Sequence, residues 1–178
     1  MSTTPTKITT PINKLCAQLG IGWKPELIPV KQRPDSGFRD CFEDVTRQVS
    51  EHGGELVTGW IIWEWKSILV EAEFHAVWRN PNGKLVDMSV KPDGEPLVMF
   101  VVDKTRKYAG RRVDNVRIPI GKDVAVREFI KKKSEFFAAF EEKYPGAIGE
   151  VQLTEELTEL QHEINIRAAQ LQITHGGG

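Results

Sequence analysis

The sequence predicts an α+β fold in which N-terminal helices pack on an antiparallel β-sheet and a helical hairpin closes the chain. Two observations predict it. Apolar residues fall at helical spacing in the first fifty or so positions, alternate with polar ones between Gly59 and Asp103, and return to helical spacing after Asp123. Strands clustered between helices, rather than alternating with them, give an antiparallel sheet. At 178 residues, 40% hydrophobic and 28% charged, the chain is large enough for one domain with a real core. The expected division is a catalytic-type α+β core over 1–121, a helical hairpin packed on it over 122–175 within the same globular unit, and a flexible tail over 176–178.

The first helix is expected with Thr10 as N-cap, Pro11 in its first turn, Ile12, Leu15, Cys16 and Leu19 on one face, and Gly20 at its end. Cys16 then reads as a small core residue. After the breaker-rich stretch Arg33-Pro34-Asp35-Ser36-Gly37, the run Cys41, Phe42, Val45, Val49 has helical spacing and stops at Gly53-Gly54. Cys41 therefore lies in the first turn of a helix, sharing an inward face with Val45 and Val49. Free backbone N–H groups and the positive helix end favour a thiolate there, the nucleophilic form of the residue.

Four strands follow: Gly59–Trp65, Val70–Trp78, Leu85–Val90 and Leu97–Val102, with Asn80-Pro81-Asn82-Gly83 and Pro92-Asp93-Gly94 as turns. In the hairpin joined at Asn80–Gly83, a register in which paired numbers sum to 162 would set His75 directly opposite Asp87. Opposed side chains on one face have Cβ atoms about 5 Å apart, close enough for a carboxylate to orient an imidazole. A one-residue slip would send them to opposite faces.

Asp123 is expected to cap a helix running through Tyr144 to Pro145-Gly146, and Thr154 another running to about Ile173. The second carries Leu157, Leu160, Ile164, Ala168 and Leu171 as an apolar stripe, which could pack on the sheet or serve as an oligomerisation surface. Lys131-Lys132-Lys133 reads as the solvated face of a helix whose other face bears Phe129, Ile130, Phe137 and Phe140.

Cys41, His75 and Asp87 thus occur in an order, on element types and with facings that suit cysteine-dependent acyl transfer. The order resembles that of papain-like folds, and the local text, His75-Ala76-Val77-Trp78 and Asp87-Met88-Ser89, resembles the transglutaminase-like branch, over roughly Gln32 to Asp103. The resemblance implies a Cys-His-Asp enzyme acting on amide bonds as a peptidase, an amidase or deamidase, or a transglutaminase. No tryptophan follows the cysteine, where relatives often carry one, and Gln32 stands nine positions upstream, farther than the usual oxyanion-hole glutamine. Gln32 remains a candidate for that donor beside the Cys41 backbone N–H.

Each residue also has a plainer reading: a buried small hydrophobe for Cys41, a satisfied strand side chain for His75, a turn cap for Asp87. Trp60, Trp63 and Trp65 put large aromatics on both faces of their strand, with core packing set against a tryptophan-walled substrate channel. Glu71, Glu73 and His75 alternate along one strand and could instead bind a divalent ion, the reading that would make this a metal-binding protein. A third alternative is a non-catalytic peptide-binding or assembly module on the same fold.

The acyl-transfer reading needs no cofactor, and its partner is a peptide or protein carrying a carboxamide. A net charge of −1 recommends neither nucleic acid nor a membrane surface, and no apolar run reaches the length that spans a bilayer. Two cysteines, in separate helices, make no disulfide framework, and Met1–Thr6 lacks the pattern of a secretory signal. A reducing, cytoplasmic setting is therefore expected.

Overall fold

A computed structural model describes residues 2–33, 41–91, 93–147 and 150–176. The breakers Pro34 to Gly37, Pro92 of the second turn, and Gly177 and Gly178 of the tail lie outside the described residues. The architecture is α+β, with four helices and an antiparallel sheet that nearly closes into a barrel.

Helix α1 spans Thr10–Gln18, with Pro11 near its start. Its N-cap is Thr9, one residue before the expected Thr10, because Thr9 holds the extended backbone and its carbonyl accepts from Asn13 N. Helix α2 spans Cys41–His52, as the apolar spacing requires. Strands β1 (Glu26–Pro29), β2 (Glu55–Trp65), β3 (Leu69–Arg79), β4 (Leu85–Val86), β5 (Leu97–Val102) and β6 (Val116–Pro119) form one sheet in the order β1-β5-β2-β3-β4, with β6 paired to β3. Helices α3 (Val124–Lys143) and α4 (Glu155–His175) carry the expected N-caps. Asp123 accepts from Ala125 N at 2.8 Å, and the Thr154 side chain accepts from Leu157 N at 3.4 Å.

Alternation divides the sheet's two faces between two cores. Trp60, Ile62, Val70, Ala72 and Phe74 pack under Ile12, Leu15 and Cys16 of α1, with Val116, Ile118 and Ile120 at the margin. Ile61, Val57, Val77, Val98 and Phe100 fill the opposite face with Ile28. A lone parallel bridge from Val30 to Asp87 brings the β1 end of the sheet to the β4 end, so the second core is nearly enclosed. Helices α3 and α4 share a third cluster with Ile68 and Leu69 at the β2–β3 turn.

The β3–β4 register differs from expectation. Trp78 stands opposite Val86 and Arg79 opposite Leu85, two residues away from the register that would oppose His75 to Asp87. The turn explains the shift: the Asn80 side chain accepts from the backbone of both Asn82 and Lys84, Asn80 N donates to Lys84 O, and Gly83 takes φ +80°. A shift of two keeps each side chain on its face, so Asp87 becomes a diagonal neighbour of His75 and Ser89 takes the opposed place. The ladder itself ends at Val86, four residues short of the expected strand end, because the Asp87 backbone turns to the chain beyond β1: Asp87 N donates to Pro29 O at 2.9 Å and its carbonyl accepts from Lys31 N at 2.8 Å.

Candidate functional site

Strand β3 has β2 along its whole length on one side. On the other it pairs with β6 only at Leu69–Ala72 and with β4 only at Trp78–Arg79. The stretch 73–77 is left without a strand on that side, and His75 is its middle residue. Helix α2 packs here, setting Cys41 and Val45 against Ala76, Val86 and Met88.

His75 and Asp87 are both buried, and His75 Nε2 lies 3.0 Å from Asp87 Oδ1. Cys41 lies close enough to the imidazole to act on its charge. Burial pushes the His75 ring towards its neutral form. Cys41 and the Asp87 carboxylate, through charge and hydrogen bonds, more than offset this and raise the ring from its ordinary value to about 10. Burial likewise pushes the Asp87 carboxyl up, but the His75 imidazolium and the Lys91 ammonium hold it well below the usual carboxylate range. The arrangement therefore favours the charged form of the ring, an imidazolium beside the Asp87 carboxylate.

Several residues that the sequence did not single out hold this row. Asp87 Oδ1 also accepts from Ser89 N at 3.0 Å and Ser89 Oγ at 2.8 Å, while Ser89 Oγ stands 3.4 Å from His75 Nε2. Lys91 reaches back four positions to place Nζ 2.7 Å from Asp87 Oδ2 and 2.9 Å from Ser89 Oγ. Its side chain is 8% exposed. The ammonium also lies over the Trp63 ring, whose Nε1 donates to Glu73 at 2.8 Å. Arg33 ties the Asp87 segment to the helix that bears Cys41: its backbone N–H donates to Met88 O, and its guanidinium bonds Gln48 and Glu51 of α2 at 2.9 Å each. The sequence signal for Lys91 was the Asp-x-Ser-x-Lys spacing on an alternating run, which puts all three side chains on one face.

The remaining candidates are scattered. Gln32 is exposed, on the segment whose neighbours Lys31 and Arg33 bond the Asp87–Met88 backbone. Trp60 is 1% exposed and donates to Asp103 Oδ2 at 3.0 Å, which makes it core. Trp65 meets Phe129 of α3 and Gln172 of α4, and Trp63 alone stands beside the site, through Lys91. The three tryptophans thus do not come together as one channel wall. Trp78 lies on the α2 side, away from the His75 face, and donates to Gly53 O at 2.8 Å. Glu71 is spent on Arg117 and Asn115, Glu73 on Trp63 and His75 on Asp87. Among the described residues no group of three histidine, cysteine or acidic side chains has a metal-holding arrangement.

A cleft of about 960 Å³ opens beside the first two turns of α2, walled by Phe42, the residue after Cys41. Cys41 itself is 9% exposed. No helix is long and apolar enough to cross a membrane among the described residues. Comparison with known proteins finds no family model, no curated protein and no solved structure that matches the chain.

Proposed function

We propose that this chain is a cysteine-dependent acyl-transfer enzyme acting on amide bonds, with Cys41 as nucleophile, His75 as proton carrier and Asp87 as the group that orients the imidazole. The observation that carries the reading is the buried His75 ring, held between a thiol and a carboxylate that both favour its charged form. The same reading extends to the fold. A helix-borne cysteine, a strand-borne histidine and an acid just past the next turn follow the papain-like and transglutaminase-like order.

In the proposed cycle His75 holds the proton that Cys41 gives up. The thiolate attacks a carboxamide carbon, and the carbonyl oxygen becomes an oxyanion in a tetrahedral intermediate. The intermediate collapses with cleavage of the C–N bond, and the amine leaves with the His75 proton, giving a thioester on Cys41. Water or a second amine, deprotonated by His75, attacks the thioester and restores the thiol. Peptide hydrolysis, deamidation and transamidation all share these steps and differ in the pocket and in the acceptor. The substrate is a peptide or protein with a carboxamide. A reducing compartment such as the cytoplasm suits a chain whose two cysteines are both free.

One observation favours a second reading, a non-catalytic peptide-binding or assembly module: the Cys41 residue is nearly enclosed, and the cleft runs beside it. Acylation by p-nitrophenyl acetate separates the two. The enzyme reading expects a stoichiometric burst of p-nitrophenol with an acetyl group on Cys41, lost in His75→Ala. A thiol that stays unacylated near pH 7 would support the module.

A further inference from the structure

The cleft beside α2 has an apolar wall and a cationic rim. Phe42 stacks on Tyr108 with ring centroids 3.7 Å apart, and Leu56 and Val57 of β2 line the same space. The rim comes from the segment after β5. From Lys104 to Arg112 the chain carries five cations, Lys104, Arg106, Lys107, Arg111 and Arg112, and no acidic residue, although the whole protein has a net charge of −1. The first three line the cleft and are exposed.

None of these five cations has an ion-pair partner among the described residues. Lys104 lies over the half-exposed Trp23 ring at 4.5 Å, Arg106 over Trp60 at 5.4 Å and Arg112 over Phe140 at 4.8 Å, so aromatic faces rather than carboxylates orient these three. The cleft's other arginines are already matched, Arg79 with Glu55 and Arg47 with Asp44. Asp103, at the rim's start, is 4% exposed and turns inward to Trp60 and Thr105, so it does not neutralise the segment. Glu43 of α2 also lines the cleft and is exposed, one carboxylate against the three exposed cations Lys104, Arg106 and Lys107, so the rim keeps a net positive charge for a ligand. The apolar wall fits a side chain better than a sugar-phosphate backbone.

We propose that this cleft seats the acyl donor as an acidic peptide segment, with an apolar side chain against Phe42 and Tyr108 and carboxylates facing Lys104, Arg106 and Lys107. The proposal rests on Cys41 as nucleophile, since the cleft wall begins at the next residue along α2. Charge of this kind acts on encounter rate and selectivity more than on raw affinity, and salt screens it.

Two peptides test it on the full chain carrying Cys16→Ser: chloroacetyl-Leu-Glu-Leu-Glu-Glu and chloroacetyl-Leu-Lys-Leu-Lys-Lys. In each, the Cys41 sulfur bonds the chloroacetyl carbon and chloride leaves, and the rate is read by mass spectrometry. The acidic peptide is expected to label Cys41 about tenfold faster at low salt, with the preference shrinking at high salt and in the Lys104→Glu/Lys107→Glu variant. Equal rates for the two peptides, or a preference that survives the double charge reversal, would overturn the proposal. So would protection of Cys41 by a twenty-residue oligothymidylate without any acidic-peptide preference, which would assign the rim to nucleic acid. Iodoacetamide, too small to use the cleft, scores the catalytic reading separately. Acidic preference without His75-dependent iodoacetamide reactivity would sink the enzyme and leave an acidic-peptide site.

Discussion

At the scale of single residues, the site depends on how charges are matched in a dry place. His75, Asp87 and Lys91 form a buried row in which the carboxylate serves two cations at once, Nε2 of His75 through Oδ1 and Nζ of Lys91 through Oδ2. Removing one member of a buried pair leaves the other desolvated and uncompensated, which costs about 3–5 kcal/mol, against about 0–1 for an exposed pair such as Lys131 with Glu135. Lys91→Met is therefore expected to lower stability by a few kcal/mol in urea unfolding, where Lys131→Met changes little. Lys91→Met also takes a cation away from Asp87, so the acid limb of the Cys41 alkylation profile is expected to move to higher pH. A Lys91→Met protein as stable as wild type would show that the ammonium does not compensate the carboxylate.

At the scale of elements, the site sits where the sheet is incomplete. The His75 side of β3 is free between β6 and β4, and Arg33 links α2 to the Met88 segment across that gap. Arg33→Ala is expected to slow Cys41 alkylation several-fold while the far-ultraviolet circular dichroism stays unchanged, because it loosens α2 against the acid without opening a core. Behind His75, β2 has Gly59 as the paired residue, where an added Cβ would meet Val101 O at 2.2 Å and the Phe100 ring at 2.4 Å. A backbone oxygen cannot swing aside, so Gly59→Ala is expected to cost about 1–3 kcal/mol in urea unfolding and to disturb β5. Retention of full stability would mean that β2 and β5 separate more easily than their pairing implies.

The element scale also separates what the residues disclosed from what they did not. Periodicity placed α1, α2, β2, β3 and β5, because each buries a long face and so carries a long pattern. Asp123 and Thr154 marked the later helix starts for the same local reason. Strand β1 escaped notice because Leu27-Ile28-Pro29-Val30 is short and contains a proline, and β6 because the alternation of Val116, Ile118 and Ile120 is interrupted by Pro119. Cys41, His75 and Asp87 were legible as types on elements, and their facing survived a register error because that error was even. Lys91 pairs with Asp87 and Ser89 of its own segment, a spacing that also suits a solvated face, and Arg33 acts through bonds to α2 and to the Met88 segment, partners that leave no periodic trace.

For the molecule as a whole, the charge row links stability to pH. His75 is raised in the folded protein from 6.5 to about 10, so its contribution is fully present below pH 6.5 and is lost as pH climbs through about 10. Asp87 is lowered from 3.8, so its contribution is present above that value and is lost as pH falls through the folded one. Unfolding free energy is expected to be highest near pH 4–6.5 for these two groups and to decline between pH 6.5 and 10, with His75→Ala flattening the alkaline decline in urea titrations. A wild-type curve that matches His75→Ala over that interval would mean that the ring is not charged in the folded state.

The most direct measurement is the rate of Cys41 alkylation by iodoacetamide from pH 4 to 9, in a Cys16→Ser background, compared with His75→Ala and Asp87→Asn. A thiolate–imidazolium pair predicts substantial alkylation at pH 6, below the range near 8.5 where a free thiol ionises, abolished by His75→Ala and weakened by Asp87→Asn. Slow alkylation at pH 6 that is the same with and without His75 would contradict the account.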